Sequence, residues 1–152
     1  MVLGDNLSEE QKLAIIRRQL TIGRVIRLFC KFTTPPKEKL LVVANIQPYP
    51  ILFVINSEIN AFIKARPQLL ECQVQIEAAD HSFLNHHSYI DCAQATCFTM
   101  LEIESQIVQD MSRIKDCLSN ELVKEIIAAV ERSVTLDRKE KRWILAALST
   151  LM

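Results

Sequence analysis

The chain has 152 residues, enough for a single domain (1–152) with a proper core; 49% of them are apolar and 24% charged, as in an ordinary globular protein. No run approaches the roughly 18 uninterrupted apolar residues that a membrane span needs, and Met1–Asn6 lacks a basic region followed by an apolar core, so no membrane partner and a cytoplasmic location are expected. The formal net charge of +0 hides an asymmetry: Lys12, Arg17, Arg18, Arg24, Arg27, Lys31, Lys37 and Lys39 face only four acidic residues in the first 40 positions, and the remainder is acidic by the same margin. Such a front is either a solvated charged face or an attractor for a polyanion or an acidic protein.

Ser8-Glu9-Glu10-Gln11 is a capping-box pattern, and Leu13, Ile16 and Leu20 follow three or four apart, predicting a helix over 7–21. Gly23 closes it. Arg24–Phe32 then reads as a strand covered on most of both faces, because Ile26, Leu28 and Cys30 are apolar beside Val25 and Phe29. Lys39–Ile59 is the stretch around which the rest is organised: Leu40–Val43 and Ile51–Ile55 are short β-rich runs joined through Gln47-Pro48-Tyr49-Pro50. The prolines belong in the connection or at the first residue of a strand. A short helix follows, with Ser57 as its expected N-cap and Arg66-Pro67 as its end. Cys72–Ile76 alternates as a half-buried strand, Asp80–Ser88 is a polar loop with all three histidines, and Ser88–Gln94 is the next strand. The final third, 100–152, is helical: Met100–Met111 is loosely amphipathic, Ser119 caps one helix, and Thr135 caps another built around Trp143. Strands first and helices afterwards is an α+β order.

Several chemistries find no support. Cys30, Cys72, Cys92, Cys97 and Cys117 are odd in number and form no CxxC pair, so they read as reduced thiols in or near the core. Gly4 and Gly23 are the only glycines, which leaves nothing to build a phosphate-cradling loop and argues against nucleotide-dependent enzymes. His81, His86 and His87 lack a metal-ligand spacing and read as surface loop residues, although an exposed imidazole can also move protons near neutral pH. No cofactor and no metal are expected.

Four stretches, taken in order, resemble the MazF/PemK-type endoribonuclease toxins of bacterial toxin–antitoxin pairs. Gly23-Arg24-Val25-Ile26 resembles that family's opening strand. Lys39–Ala44 resembles the Arg-Pro and aliphatic run that starts its second strand. Phe53-Val54-Ile55-Asn56-Ser57 resembles the strand that exits at a Thr or Ser. Ser88-Tyr89-Ile90-Asp91-Cys92-Ala93-Gln94 resembles its Ser-Tyr-Val-x-Cys-Asp-Gln strand, and Met111–Ser119 is similar to the Gly-Arg-Leu-Ser/Thr segment before its last helix. The resemblance covers about 23–130 and implies a small SH3-like (PemK/MazF-like) β-barrel over 23–98, with the N-terminal helix and C-terminal helices attached, usually as a homodimer. It also implies metal-independent cleavage of single-stranded RNA and an antitoxin protein as partner.

Carried over by position, the resemblance makes Lys39 and Ser57 the catalytic pair, with Lys39 at the place of an arginine and Ser57 at that of a hydroxyl. Arg24, Arg27, Lys37 and Gln94 would bind or steer the RNA, and His81, His86 or His87 would supply proton transfer. This chain departs from the pattern at three places: Lys39 lacks the planar fork of arginine, Ala93 replaces an aspartate, and Thr96 stands where an arginine often does. Lys37 beside Lys39 is the neighbour that can lower a lysine pKa toward a useful range. The departures also define an alternative, a catalytically silent barrel that binds protein or nucleic acid. Only 6% of the residues are aromatic, which gives few stacking platforms for a single strand.

Overall fold

The computed structural model describes residues 6–152; the reading of Met1–Asn6 lies, Asn6 excepted, outside them. The fold is α+β. Helix α1 (Glu9–Gln19) begins at the expected capping box, with the Ser8 hydroxyl accepting from the Gln11 amide and the Gln11 side chain accepting from the Ser8 amide. Strands β1 (Arg24–Cys30), β2 (Lys37–Asn45) and β3 (Ile51–Asn56) follow as an antiparallel meander, with Val25 opposite Val42 and Leu40 opposite Ile55. Two short helices, α2 (Ala61–Lys64) and α3 (Pro67–Leu70), lead to β4 (Gln73–Ile76) and β5 (Ser88–Asp91). After β6 (Thr96–Cys97) come α4 (Met100–Gln109), β7 (Ile114–Cys117), α5 (Asn120–Arg132) and α6 (Arg138–Ser149).

The sheet runs β4-β5-β3-β2-β1-β7, with β6 beside the start of β3. Among the described residues β4 and β7 end this path without meeting, so the sheet is a curled half-barrel and not a closed ring. Its strands alternate between two apolar layers because successive side chains point to opposite faces. Val25, Val42, Ala44, Phe53 and Ile55 face one layer, completed by Leu122, Ile126 and Val130 of α5 and by Ile144 and Leu148 of α6. Ile26, Leu28, Leu41, Val43 and Leu52 face the other, completed by Ile16 of α1 and by Ile103 and Ile107 of α4. This double cover explains why β1 is apolar on both sides.

Several local expectations are corrected. Asn60, not Ser57, caps α2 through its bond to the Ile63 amide at 2.9 Å. Pro67 does not merely end that helix; its fixed φ also suits the first position of α3. Asp137, not Thr135, caps α6, accepting from the amides of Lys139 and Glu140. Thr135 instead donates to the Ala93 carbonyl at 2.5 Å. Strand β7 interrupts the stretch 100–152 that reads as helical from the sequence, because Ile114–Cys117 pairs with β1, and β6 had no sequence expectation. Three cysteines are buried, but Cys97 and Cys117 are exposed. Gly23 has φ +86°, a region that disfavours a side chain, and a Cβ there would lie 3.2 Å from Leu151 Cδ1. Its N–H donates to Val43 and its carbonyl accepts from Leu118.

Candidate functional site

A concavity of about 690 Å³ lies where the root of β2 meets the end of β3. Strand parity decides which residues face it. Lys37 and Lys39 share one face of β2, while Glu38 between them points the other way and is gripped by Arg113 through two bonds of 2.7 and 2.8 Å. The lysine pair thus reaches the cleft without its nearest carboxylate in sequence. Lys39 is half-buried, and its Nζ donates to Asn56 Oδ1 at 2.8 Å. Burial first, and the Lys37 charge second, lower the Lys39 pKa below the ordinary lysine value.

Thr33 and Thr34 of the β1–β2 loop, together with Gln94 and Thr96 beyond β5, add polar groups to the cleft. Phe32 and Phe62 are exposed at its wall. Asp91, Asp137 and Glu140 supply carboxylates, each with a role in the fold. Asp91 Oδ1 accepts from Gln73 Nε2 at 2.9 Å and from the Ala93 amide at 3.0 Å. Asp137 caps α6, and Glu140 accepts from Tyr49 Oη at 2.7 Å. That bond pushes the tyrosine up to about 12.

Of the residues singled out from sequence, Lys37, Lys39 and Gln94 line this cleft, and Ser57 does not. Ser57 lines a separate depression of about 250 Å³ with Glu58, Lys64, His87 and Tyr89. One residue along an extended chain reverses the side-chain direction, so Asn56 takes the place opposite Lys39 that Ser57 was expected to fill. Arg24 is spent on the carbonyls of Gln19 and Lys115, at 2.8 and 3.1 Å. Arg27 lies 3.4 Å from Asp110, and neither arginine lines the cleft. His81 bonds the Glu77 carbonyl through Nδ1 at 2.8 Å, His87 lies edge-on to Tyr89, and His86 is exposed; none of the three lines the cleft.

Part of the basic front is engaged with the fold, while Arg18, Lys31 and Lys37 stay exposed. Arg17 pairs with Glu104 at 2.9 Å, and Lys12 reaches the Val108 carbonyl at 3.5 Å. Sequence reasoning missed Asn56, Asp91, Phe32 and Phe62. The signal for Asn56 was present, since an antiparallel hairpin register sets it against Lys39. Asp91 stood inside a strand motif and near the histidines, without a catalytic role given to it. Among the described residues no group of three His, Cys, Asp or Glu could hold a metal, and no helix is long and apolar enough to cross a membrane. Cys92 and Cys97 are poor nucleophiles: burial raises Cys92 well above its ordinary value, while partial burial and Glu140, 3.5 Å from its sulfur, push Cys97 up to about 11.

No family model matches the chain. Among curated proteins it is similar to an AP-1 complex subunit beta of Dictyostelium discoideum, with 26% identity over 131 residues. That match covers 84% of this chain and 13% of the relative, so the chain spans only a small part of the protein it resembles.

Proposed function

We propose that the chain is a toxin-like endoribonuclease that binds single-stranded RNA in the Lys39 cleft and cleaves it without a metal. The observation that carries this reading is the half-buried Lys39 ammonium, set against Asn56 and beside Lys37 in a concavity of about 690 Å³. A phosphodiester needs a cation that remains partly desolvated, because screening weakens an exposed one. The order of motifs shared with MazF/PemK-type toxins supports the same reading.

In the reaction, the RNA 2′-oxygen attacks the adjacent phosphorus, the P–O5′ bond breaks, and a 2′,3′-cyclic phosphate and a 5′-hydroxyl result. Lys39 offsets the charge that builds on the phosphorane and delivers a proton to the leaving O5′, for which a lowered pKa is an advantage. Asp91 is the base that takes the 2′-hydroxyl proton: among the described residues its side-chain bonds, from Gln73 and the Ala93 amide, fall on Oδ1, which leaves Oδ2 for substrate. Asn56 holds the lysine in place, and Lys37 and Gln94 contact the RNA backbone. A homodimer and an antitoxin partner follow from the family likeness alone.

The direct test is incubation of the pure protein with single-stranded RNA in EDTA, beside Lys39→Ala and Asp91→Asn. Cleavage by the wild type and loss in both variants is the expected result; equal cleavage in all three, or cleavage that needs added metal, refutes the assignment.

A second reading is a non-enzymatic module that keeps the sheet and binds a protein. Two observations favour it: among the described residues no arginine or histidine lines the cleft, and the sequence is similar to a subunit of a multi-protein complex. Stoichiometric capture of one protein from the source cell, with no growth arrest on overexpression, would select this reading over the first.

A further inference from the structure

Phe32 and Phe62 are 54% and 58% exposed, and both stand on the wall of the Lys39 cleft. Exposed phenyl rings forgo the gain of burial, so two of them in one concavity call for an occupant with flat apolar faces. The cleft also holds two lysines and three carboxylates; Asp91, Asp137 and Glu140 are bonded to Gln73 and Ala93, to the first amides of α6 and to Tyr49, so a backbone anion is received on the Lys37 and Lys39 side of the cleft. The hairpin explains their meeting. Phe32 sits in the loop that leads into β2, and Phe62 in the helix that leaves β3, so the pairing of Lys39 with Asn56 also brings both rings to the cleft.

Each ring is held in place. The Arg66 guanidinium carbon lies 3.5 Å from the centroid of the Phe62 ring, and Arg66 Nη1 donates to the Phe62 carbonyl at 2.8 Å. One face of Phe62 is thereby covered by a cation, and the residue remains 58% exposed. Phe32 packs edge-on against Phe98 at 6.4 Å, and its loop is tied by Thr33 Oγ1, which bonds the Cys30 and Pro35 carbonyls at 3.1 and 2.9 Å.

We infer that Phe32 and Phe62 are stacking platforms for two nucleobases of a single-stranded RNA whose intervening backbone lies on Lys37 and Lys39. The assignment rests on the RNA reading above and adds to it that the bases are gripped by their faces. Stacking of this kind tolerates sequence, because every base has a π-face. The scarcity of aromatic residues in the whole chain does not matter when two of the six phenylalanines share the cleft.

The experiment uses a 2′-O-methyl oligonucleotide of alternating 2-aminopurine and uridine, which has no nucleophile and is not cut, and a matched oligomer of abasic sugars. The wild type binds the first about tenfold or more tighter than the second and quenches its fluorescence. Phe32→Ala and Phe62→Ala each lose about tenfold on the base-bearing oligomer and nothing on the abasic one, while Phe62→Trp retains both. Lys39→Ala weakens both oligomers alike and makes the salt dependence shallower. Unchanged binding in the two alanine variants alongside a loss in Lys39→Ala would overturn the platforms and leave the RNA reading standing. So would a wild type that does not distinguish the two oligomers. Absence of binding to either oligomer at low salt would overturn both readings.

Discussion

The cleft holding Lys39 and the depression holding Ser57 are built on adjacent residues at the end of β3. Asn56 turns into the first, about 690 Å³, and Ser57 lines the second, about 250 Å³. The first draws its walls from the β1–β2 loop, from β2, β3, β5 and β6, from α2 and α3, and from the start of α6. The second is lined by only six residues, from the turn after β3, α2 and the start of β5. Lys39 in the cleft has a depressed pKa caused by burial and a like charge, whereas the depression places Glu58 and Lys64 together, with opposite charges. The difference shows how strictly a pleated strand sorts its neighbours: at this point a shift of one residue exchanges a desolvated cation for a solvated turn.

The sharpest way to break the comparison is a pair of substitutions. Lys39→Ala is expected to lower RNA cleavage by about 100-fold or more, the scale of losing a proton donor and charge stabiliser, and Ser57→Ala to change it by less than about twofold. Single-turnover rates on a labelled RNA measure both, and a reversed order would move the site to the smaller depression. Asn56→Ala should cost about tenfold, because it frees Lys39 without removing its charge. A loss as large as that of Lys39→Ala would give Asn56 a direct part in the reaction.

The pH profile sharpens the same contrast. In the proposed reaction Lys39 must be protonated to donate to the leaving oxygen, so RNA cleavage is expected to fall on the alkaline side as it loses its proton. Because burial and Lys37 depress that pKa, the limb lies below the ordinary lysine value of about 10.4. Lys37→Ala removes one of the two causes and should move the limb to higher pH. A limb that stays in place would detach it from Lys39.

Smaller effects are expected in stability. Asp137→Ala removes the cap on two amides of α6 and should cost about 1 kcal/mol in denaturant unfolding. Glu38→Gln should cost less than about 1 kcal/mol, since the pair with Arg113 is partly exposed. Its sign with pH is fixed: the bond to Arg113 lowers the Glu38 pKa in the fold, so the stabilisation is present above the unfolded value near 4.5 and is lost as pH falls through the lower folded value. The wild type and Glu38→Gln should therefore converge in stability toward acid.

The parts of this fold that were legible in sequence were those set by local chemistry. The capping box of α1, the Ser119 cap of α5 and the apolar runs of β2 and β3 lie near the places expected of them, because each depends on residues within a few positions. Asn60 and Ser57 are both able caps, as are Asp137 and Thr135. The choice between them was settled by where the sheet let each helix start. The strand β7 was hidden because Ile114–Cys117 pairs with β1 some 90 residues away and gains its strand character from that pairing. In the candidate site, Lys37, Lys39 and Gln94 were legible as charge and motif. Arg24 and Arg27 lie outside the cleft, and nothing local marks a cation that will bond a carbonyl or carboxylate far away in sequence.

Gly23 lends itself to a further use. Its two peptide hydrogen bonds tie β2 to the segment entering α5, and its missing side chain leaves room for a methyl from the end of the chain. Three parts of the polypeptide far apart in sequence converge on one residue. Deuterium uptake at that single amide would therefore report whether the sheet and the two closing helices open as one cooperative unit or peel away in turn.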